Sequence, residues 1–307
     1  MRTDIRYANS LGKSIEFGGN DDSLHYMEHE LRDWSWEYTN ATSSSRITSF
    51  SRAAKKPRKL KFAVGIAAKT DEEGLTQRNR LIDIGEVDVI SKTPGKLYIG
   101  DWYMRCYIIA GEPTKYWLSD RFAEFKLTLL VEDPSWIRET MYLFERELPH
   151  TPGNTKKDFP KEFPFDLGQG KPSKIFQNTS SSSVDWLWRV YGPATNPYMR
   201  VNNNLHQVNA QVPQGAYLEV NSHDKTIYLV DAKGARENLY SRRERGAYTS
   251  DSYIFRKIDP GDVSVLWNNS FDFDLTIFEE CSTPPYEAKK TPRRIAPVLP
   301  ESEPQNG

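Results

Sequence analysis

Hydrophobic and polar residues alternate at period two along most of the chain, a pattern that predicts strands. In the first half it marks Ile5 to Ala8 and Ser14 to Phe17, joined by a turn of Asn9, Ser10 and Gly12. Leu24 to Thr39 has helical spacing at its start, while Trp34, Trp36 and Tyr38 alternate with polar residues and predict that its end is a strand. Leu60 to Ala68 puts Leu60, Phe62 and Val64 on one face. Thr70 to Ile84 is the one segment read as a helix: Thr70 and Asp71 offer capping oxygens, and Leu75, Arg78, Leu81, Ile82 and Gly85 recur at helical spacing. Beyond Pro94, Lys96 to Ile99 and the stretch from Asp101 to Gly111 form a hairpin. Phe122 to Val131 mixes alternation with a continuous apolar run and predicts a central strand, after which Asp133, Pro134 and Trp136 close the sheet.

The second half continues with short strands separated by turns rich in Asn, Asp, Gly and Pro. They are Val184 to Tyr191, Tyr198 to Val201, Leu205 to Val212, Tyr217 to Val220, Thr226 to Val230, Tyr253 to Ile258, Val263 to Trp267 and Phe271 to Phe278. That number and spacing predict a β-sandwich. Trp186 and Trp188 share a face, and Trp267, in phase with Val263 and Val265, reads as core. In the last strand Phe271, Phe273, Leu275 and Ile277 face a core, with Asp272, Asp274 and Thr276 expected on a wet face.

Between the halves lies KKDFPKEFPFDL, where Pro160 and Pro164 hold the backbone extended while Phe159, Phe163 and Phe165 are free to dock. This reads as an ordered junction between domains, with those three rings packed between them, against the alternative of a plain flexible linker. The organisation predicted is a domain at 1–148, a junction at 149–174, a second domain at 175–284 and a Pro-rich mobile tail at 285–307.

The chain has 307 residues, enough for two cores. Its 41 Lys and Arg against 42 Asp and Glu give a net charge of −1, so no global attraction to nucleic acid is expected. No apolar run suits a signal peptide or a membrane span. An aromatic content of 12% beside a mean hydropathy of −0.69 suits strands with one buried face. Cys106 and Cys281 are expected as free, mostly buried thiols.

Candidate chemistry is sparse. His25, Glu28 and His29 have the H-x-x-E-H spacing that places two imidazoles on one helical turn to bind zinc, but the segment drifts toward strand and a solvated polar face is the competing reading. The basic run from Ala54 to Lys61 suits a solvated loop or an edge-strand guard better than a phosphate site. No paired acids, nucleophile motif or phosphate loop stands out, so neither catalysis nor a cofactor or metal is expected. Asn238, Tyr240, Arg242 and Arg243, with Glu244, Tyr248 and Tyr253 nearby, are candidate sugar or partner contacts.

The succession NSLGKSIEF, a helix, GDWYMRCYIIAGEP and AEFKLTLLVEDPSWIRE resembles the N-terminal domain of siphophage distal tail proteins, the Dit family. RVYGPATNP, AYLEVNSHDKTIYLVDAKGARENLYSRR and SYIFRKIDPGDVSVLWNNSFDFDLTIFEE, preceded by FPKEFPFDL, resemble its C-terminal domain. The resemblance spans roughly 1–17 and 60–283; residues 20–60 match poorly, and Glu279 and Glu280 stand where the family commonly has paired arginines.

That resemblance implies an all-β protein with one main helix. Its N-terminal domain would be β-sandwich-like and ring-forming, with a helix and a long hairpin in subunit contacts; its C-terminal domain would be a galectin-like β-sandwich. It implies a structural, non-enzymatic virion component at the tail tip or baseplate of a long-tailed, non-contractile phage, made and assembled in the bacterial host cytoplasm. There a hexameric ring would join the tail tube protein to adhesins or receptor-binding proteins in host attachment and let the genome pass. The alternative is a carbohydrate-binding module or adhesin recognising cell-wall sugars.

Overall fold

The computed structural model describes residues 5–18, 23–41, 46–52, 57–113, 119–146 and 173–286. Phe159, Phe163 and Phe165 lie outside the described residues, as does the tail from 287.

The N-terminal unit contains β1 (Ile5–Ala8), β2 (Ser14–Phe17), β3 (Leu24–His29), β4 (Trp36–Asn40), β5 (Ile47–Arg52), β6 (Arg58–Ala67), α1 (Asp71–Ser91), β7 (Gly95–Ile99), β8 (Trp102–Pro113), β9 (Phe122–Val131) and β10 (Trp136–Phe144). β8 belongs to two sheets: Trp102 to Cys106 pair with β7 and Tyr107 to Pro113 with β9, the latter pairing containing a register shift between Ile108 and Ala110. One sheet then runs β10-β8-β7-β1-β2 and the other β8-β9-β6-β3. β9 is central, between β6 and β8, as its continuous apolar stretch requires. Leu60, Phe62 and Val64 of β6 face a core shared with Ile5, Phe17, Leu97 and Trp136.

α1 runs seven residues further than Ile84, and of the residues read at helical spacing Arg78, Leu81 and Gly85 turn inward. Gly74, Gln77, Arg78, Leu81, Ile84, Gly85 and Asp88 are buried, whereas Leu75 and Ile82 are exposed. Close approach explains the glycines. A Cβ at Gly74 would lie 2.0 Å from the Asp120 carbonyl oxygen, and one at Gly85 would lie 3.0 Å from Ile108 Cβ. Polar anchors explain the rest. Arg78 donates to Asp120 at 2.9 Å, and the fully buried Asp88 accepts from the Tyr7 hydroxyl and, at 2.7 Å, from the Ser10 amide. Thr70 caps the helix by accepting from Glu73 N at 3.1 Å.

The C-terminal unit contains β11 (Ser173–Asn178), β12 (Asp185–Tyr191), β13 (Ala194–Thr195), β14 (Tyr198–Val201), β15 (Asn204–Gln207), β16 (Gln211–Val212), β17 (Tyr217–Asn221), β18 (Thr226–Val230), β19 (Arg236–Asn238), β20 (Gly261–Leu266) and β21 (Phe273–Cys281). The sheets β19-β18-β17-β12-β21 and β11-β20-β14-β15 enclose an aromatic core that includes Trp186, Trp188, Trp267, Phe271 and Phe273. Phe144 stacks on Phe273 with centroids 4.5 Å apart, and Trp267 meets both rings edge-on. Among the described residues the chain is all-β with one α-helix.

The two units share a ladder. β10 begins in the N-terminal core at Trp136 and ends in the C-terminal core at Phe144, and β21 runs antiparallel to it from Phe273 to Cys281. Cys281 therefore packs against the N-terminal core although it closes the second half.

Several expected elements differ. Trp136 opens β10 instead of ending the sheet, because Asp133 accepts from Ser135 N at 3.0 Å in a reversing turn. Leu24 to Thr39 contains two strands, β3 and the start of β4, and β4 pairs with β5, a strand the sequence reading did not include. Leu205 to Val212 divides into β15 and β16. Tyr253 to Ile258 is not a strand: Arg256 N turns back to the Tyr253 carbonyl, leaving only isolated bridges at Tyr253 and Ile258. The expected wet face of β21 is largely dry. Asp274 and Thr276 are buried because β10 and β12 flank the strand on both sides.

Candidate functional site

The N-terminal unit presents apolar side chains that its own core does not use. β4 and β5 form a two-stranded sheet that pairs with no further strand among the described residues. Tyr38 lies directly opposite Phe50, and Trp34, Trp36, Tyr38, Ile47 and Phe50 are all exposed, Phe50 at 63%. A lone hairpin is marginally stable in water, and clustered exposed aromatics mark surfaces that bind other chains. On α1, Leu75, Ile82 and Val89 are exposed at seven-residue intervals, which places them on one stripe facing away from the core.

At the seam between the units the charge is settled within the chain. Glu279 is buried and accepts from Arg138 Nε at 2.6 Å, Thr179 Oγ1 at 3.0 Å and Thr140 Oγ1 at 3.3 Å. Burial alone would raise its pKa; the hydrogen bonds and the Arg138 charge outweigh burial and lower it. Nearby, Asp185 accepts from Ser222 Oγ at 2.9 Å and pairs with Lys257 Nζ at 2.8 Å and His223 Nδ1 at 3.5 Å. Ligand atoms of Asp185, His223 and Glu280 lie within 4.8 Å of one another, a metal-type donor set, but the Lys257 ammonium already neutralises the central carboxylate.

The residues singled out near 240 divide into separate roles. Tyr240 and Arg243 come together: the guanidinium lies 3.9 Å from the ring centroid and donates to the Tyr240 carbonyl at 2.7 Å. With Tyr253 they line an open depression that includes Arg245 and Glu244. Tyr248 packs edge-on against Tyr253 and remains 77% exposed. Asn238 instead accepts from Tyr240 N at 2.9 Å, fixing the turn, and Arg242 lines a different depression beside Asn209 and Glu237.

His25, Glu28 and His29 lie on β3, not on a helix, and the register shifts between Tyr26 and His29, so the spacing does not place the imidazoles on one helical turn. Of the basic run, Arg58, Lys59 and Lys61 lie on β6, where Lys61 Nζ donates to Thr128 at 2.8 Å. Sequence reasoning passed over Asn204 and His206. Their signal was a polar residue at two successive inward positions in phase with Val208, an alternation read only for its apolar members.

No protein-family model matches the sequence, and neither does any curated protein. Solved structures do match. The SPP1 Dit protein, described as a paradigm of the hub adsorption apparatus in phages infecting Gram-positive hosts, aligns with a TM-score of 0.54 at 12% identity, over 92% of this chain and all of that one. Chains of the phage P2 baseplate in its activated conformation, one with Ca and one with Sr, align with a TM-score of 0.59 at 12% identity and the same coverage. The fold of this chain is that of phage Dit and baseplate hub proteins, across both of its units.

Proposed function

We propose that this protein is a structural hub of a phage tail. In this reading copies of the N-terminal unit close a hexameric ring at the tail tip, the ring sits on the tail tube, the C-terminal units face the adhesion apparatus, and the genome passes through the bore. The observation that carries the reading is a likeness covering the full length of the known hub chains. The exposed hairpin and helix stripe support it, since a head-to-tail ring needs two different sticky surfaces on each copy. The charge balance of −1 suits a bore that must not hold DNA by its phosphates. No helix among the described residues is long and apolar enough to cross a membrane. Light scattering after size exclusion, with negative-stain images of the same peak, tests the reading. A hexamer of the 35.4 kDa chain would have a mass of about 212 kDa. A ring of that mass with a central hole is the expected result; a compact particle without a hole, at any mass, would sink it.

A further inference from the structure

Beyond Ile137, β10 loses its strand neighbour on one side. β8 meets it only at the Tyr103–Ile137 pair, so from Arg138 to Phe144 the strand is paired with β21 alone among the described residues. Side chains alternate along this stretch. Tyr142 and Phe144 turn into the C-terminal core, Tyr142 stacking on Phe176 with centroids 4.0 Å apart. Met141 and Leu143 turn to the opposite face and are 57% and 58% exposed. Across the ladder the same face carries Thr276 beside Met141 and half-buried Leu187 beyond it, with half-buried Phe278 next to Glu139. An open strand edge beside exposed apolar side chains is the arrangement that recruits stray strands, and folded proteins cover it.

The chain carries a cover tethered at this edge. Residues 147–172, 26 in number, connect Arg146 to Ser173. Both anchor points lie beside the exposed pair. Arg146 N donates to Asp272 Oδ1 at 2.7 Å, just before β21 begins. Lys174 Nζ donates to the Leu143 carbonyl at 3.3 Å and lies 5.5 Å from the Phe144 ring centroid. Phe165 stands eight residues before Ser173, and eight extended residues reach up to about 28 Å. The phenylalanines of this segment therefore reach Met141 and Leu143 without strain. A tethered segment also competes at an effective concentration that a second copy of the chain does not match.

The segment's own pattern fits that edge. In an extended chain Phe159, Lys161, Phe163 and Phe165 fall on one side, and Pro160, Glu162 and Pro164 on the other. Phe163 and Phe165 are two residues apart, about 7 Å along a strand, and so are Met141 and Leu143. The prolines suit the last strand of a sheet. Backbone N–H groups of an extended chain also alternate between its two edges, and Pro160 and Pro164 remove donors from the same edge. Laid against β10 by its other edge, the segment turns outward a side that cannot pair with a further strand. We propose that residues 159–165 cover the open edge of β10, with their phenylalanine rings seated over Met141 and Leu143. The seat is the outer face of the sheet that both units share, and it does not depend on ring formation.

The test uses the full chain with the photo-crosslinker p-benzoylphenylalanine in place of Met141 or of Leu143, as an equal mixture of heavy-isotope-labelled and unlabelled chains. After irradiation, mass spectrometry of the digest should find the probe joined to a peptide from 147–172 of the same isotope content, which marks the same chain. The yield should fall about tenfold when Phe159→Ser, Phe163→Ser and Phe165→Ser are combined, because the rings supply the apolar contact. A probe at Phe122, exposed at the end of β9 remote from Trp136, should not reach the segment. Pairs of mixed isotope content would overturn the proposal, since a second copy would then hold the edge. So would no crosslink into 147–172, a yield unchanged by the serine changes, or an equal yield from Phe122. Light scattering separates this result from the hub reading, because the serine variant should assemble like the parent chain.

Discussion

The two units solve the same packing problem in opposite ways. Within the C-terminal core, aromatic rings pack directly on one another, with Phe273 touching Phe144, Trp188, Trp267 and Phe271. Both cores are mostly aliphatic by number, but the N-terminal helix is fastened by glycine contacts and buried polar groups while apolar side chains are left outside. Among the described residues the C-terminal unit leaves fewer large apolar side chains exposed, Ile175 and Tyr248 among them. The other has kept some in reserve, and that is the unit expected to make the ring.

The contrast is sharpest under mutation. Phe273→Ala should cost about 3 to 5 kcal/mol, measured by denaturant unfolding, because a ring among rings leaves a cavity that its stiff neighbours fill poorly. A cost below about 1 kcal/mol would mean that the cluster relaxes easily. Asp88→Ala should cost somewhat less, about 2 to 4 kcal/mol, since it strands the Tyr7 hydroxyl and the Ser10 amide. Hydrogen exchange should place that loss in α1 and β1 and leave β12 protected.

The seam should respond to acid. The folded-state pKa of Glu279 is depressed, so its contribution is fully present above the unfolded carboxyl value near about 4.3 and is lost as pH falls through the lower folded value. Exchange along β10 and β21 should rise in that window in the parent chain, whereas Glu279→Gln should show a weaker seam with little pH dependence. The smallest effect on folding belongs to the hairpin. Tyr38→Ser with Phe50→Ser should change stability by less than about 0.5 kcal/mol, since both rings are exposed, yet remove high-mass species in light scattering. Loss of folding instead would show that the hairpin belongs to the core.

The same contrast sets what the sequence could disclose. β12 and β17, and the inward phase of β21, were legible because alternating large apolar residues on strands have one stable arrangement. The inner face of α1 was legible only in part: Arg78, Leu81 and Gly85 recur at helical spacing, whereas Gly74 and Asp88 are fitted to Asp120 and Tyr7, which are distant in the chain. β10 went unread because Arg138 and Glu139 make it look like surface until Glu279 arrives from residue positions far downstream. Tyr240 and Arg243 were found together, whereas Asn238 and Arg242, adjacent in sequence, point to other tasks.

β21 also sets a timetable. It is the last strand of the described chain, yet it fills the place between β10 and β12 and so completes the sheet on which both units draw. During synthesis the earlier strands can collapse around their own apolar residues, but β10 must wait more than a hundred residues for its partner. A chain still on the ribosome therefore carries an open sheet edge, and the seam can zip shut only when the closing strand has emerged. A copy cut short before Phe273 lacks the strand that joins its halves.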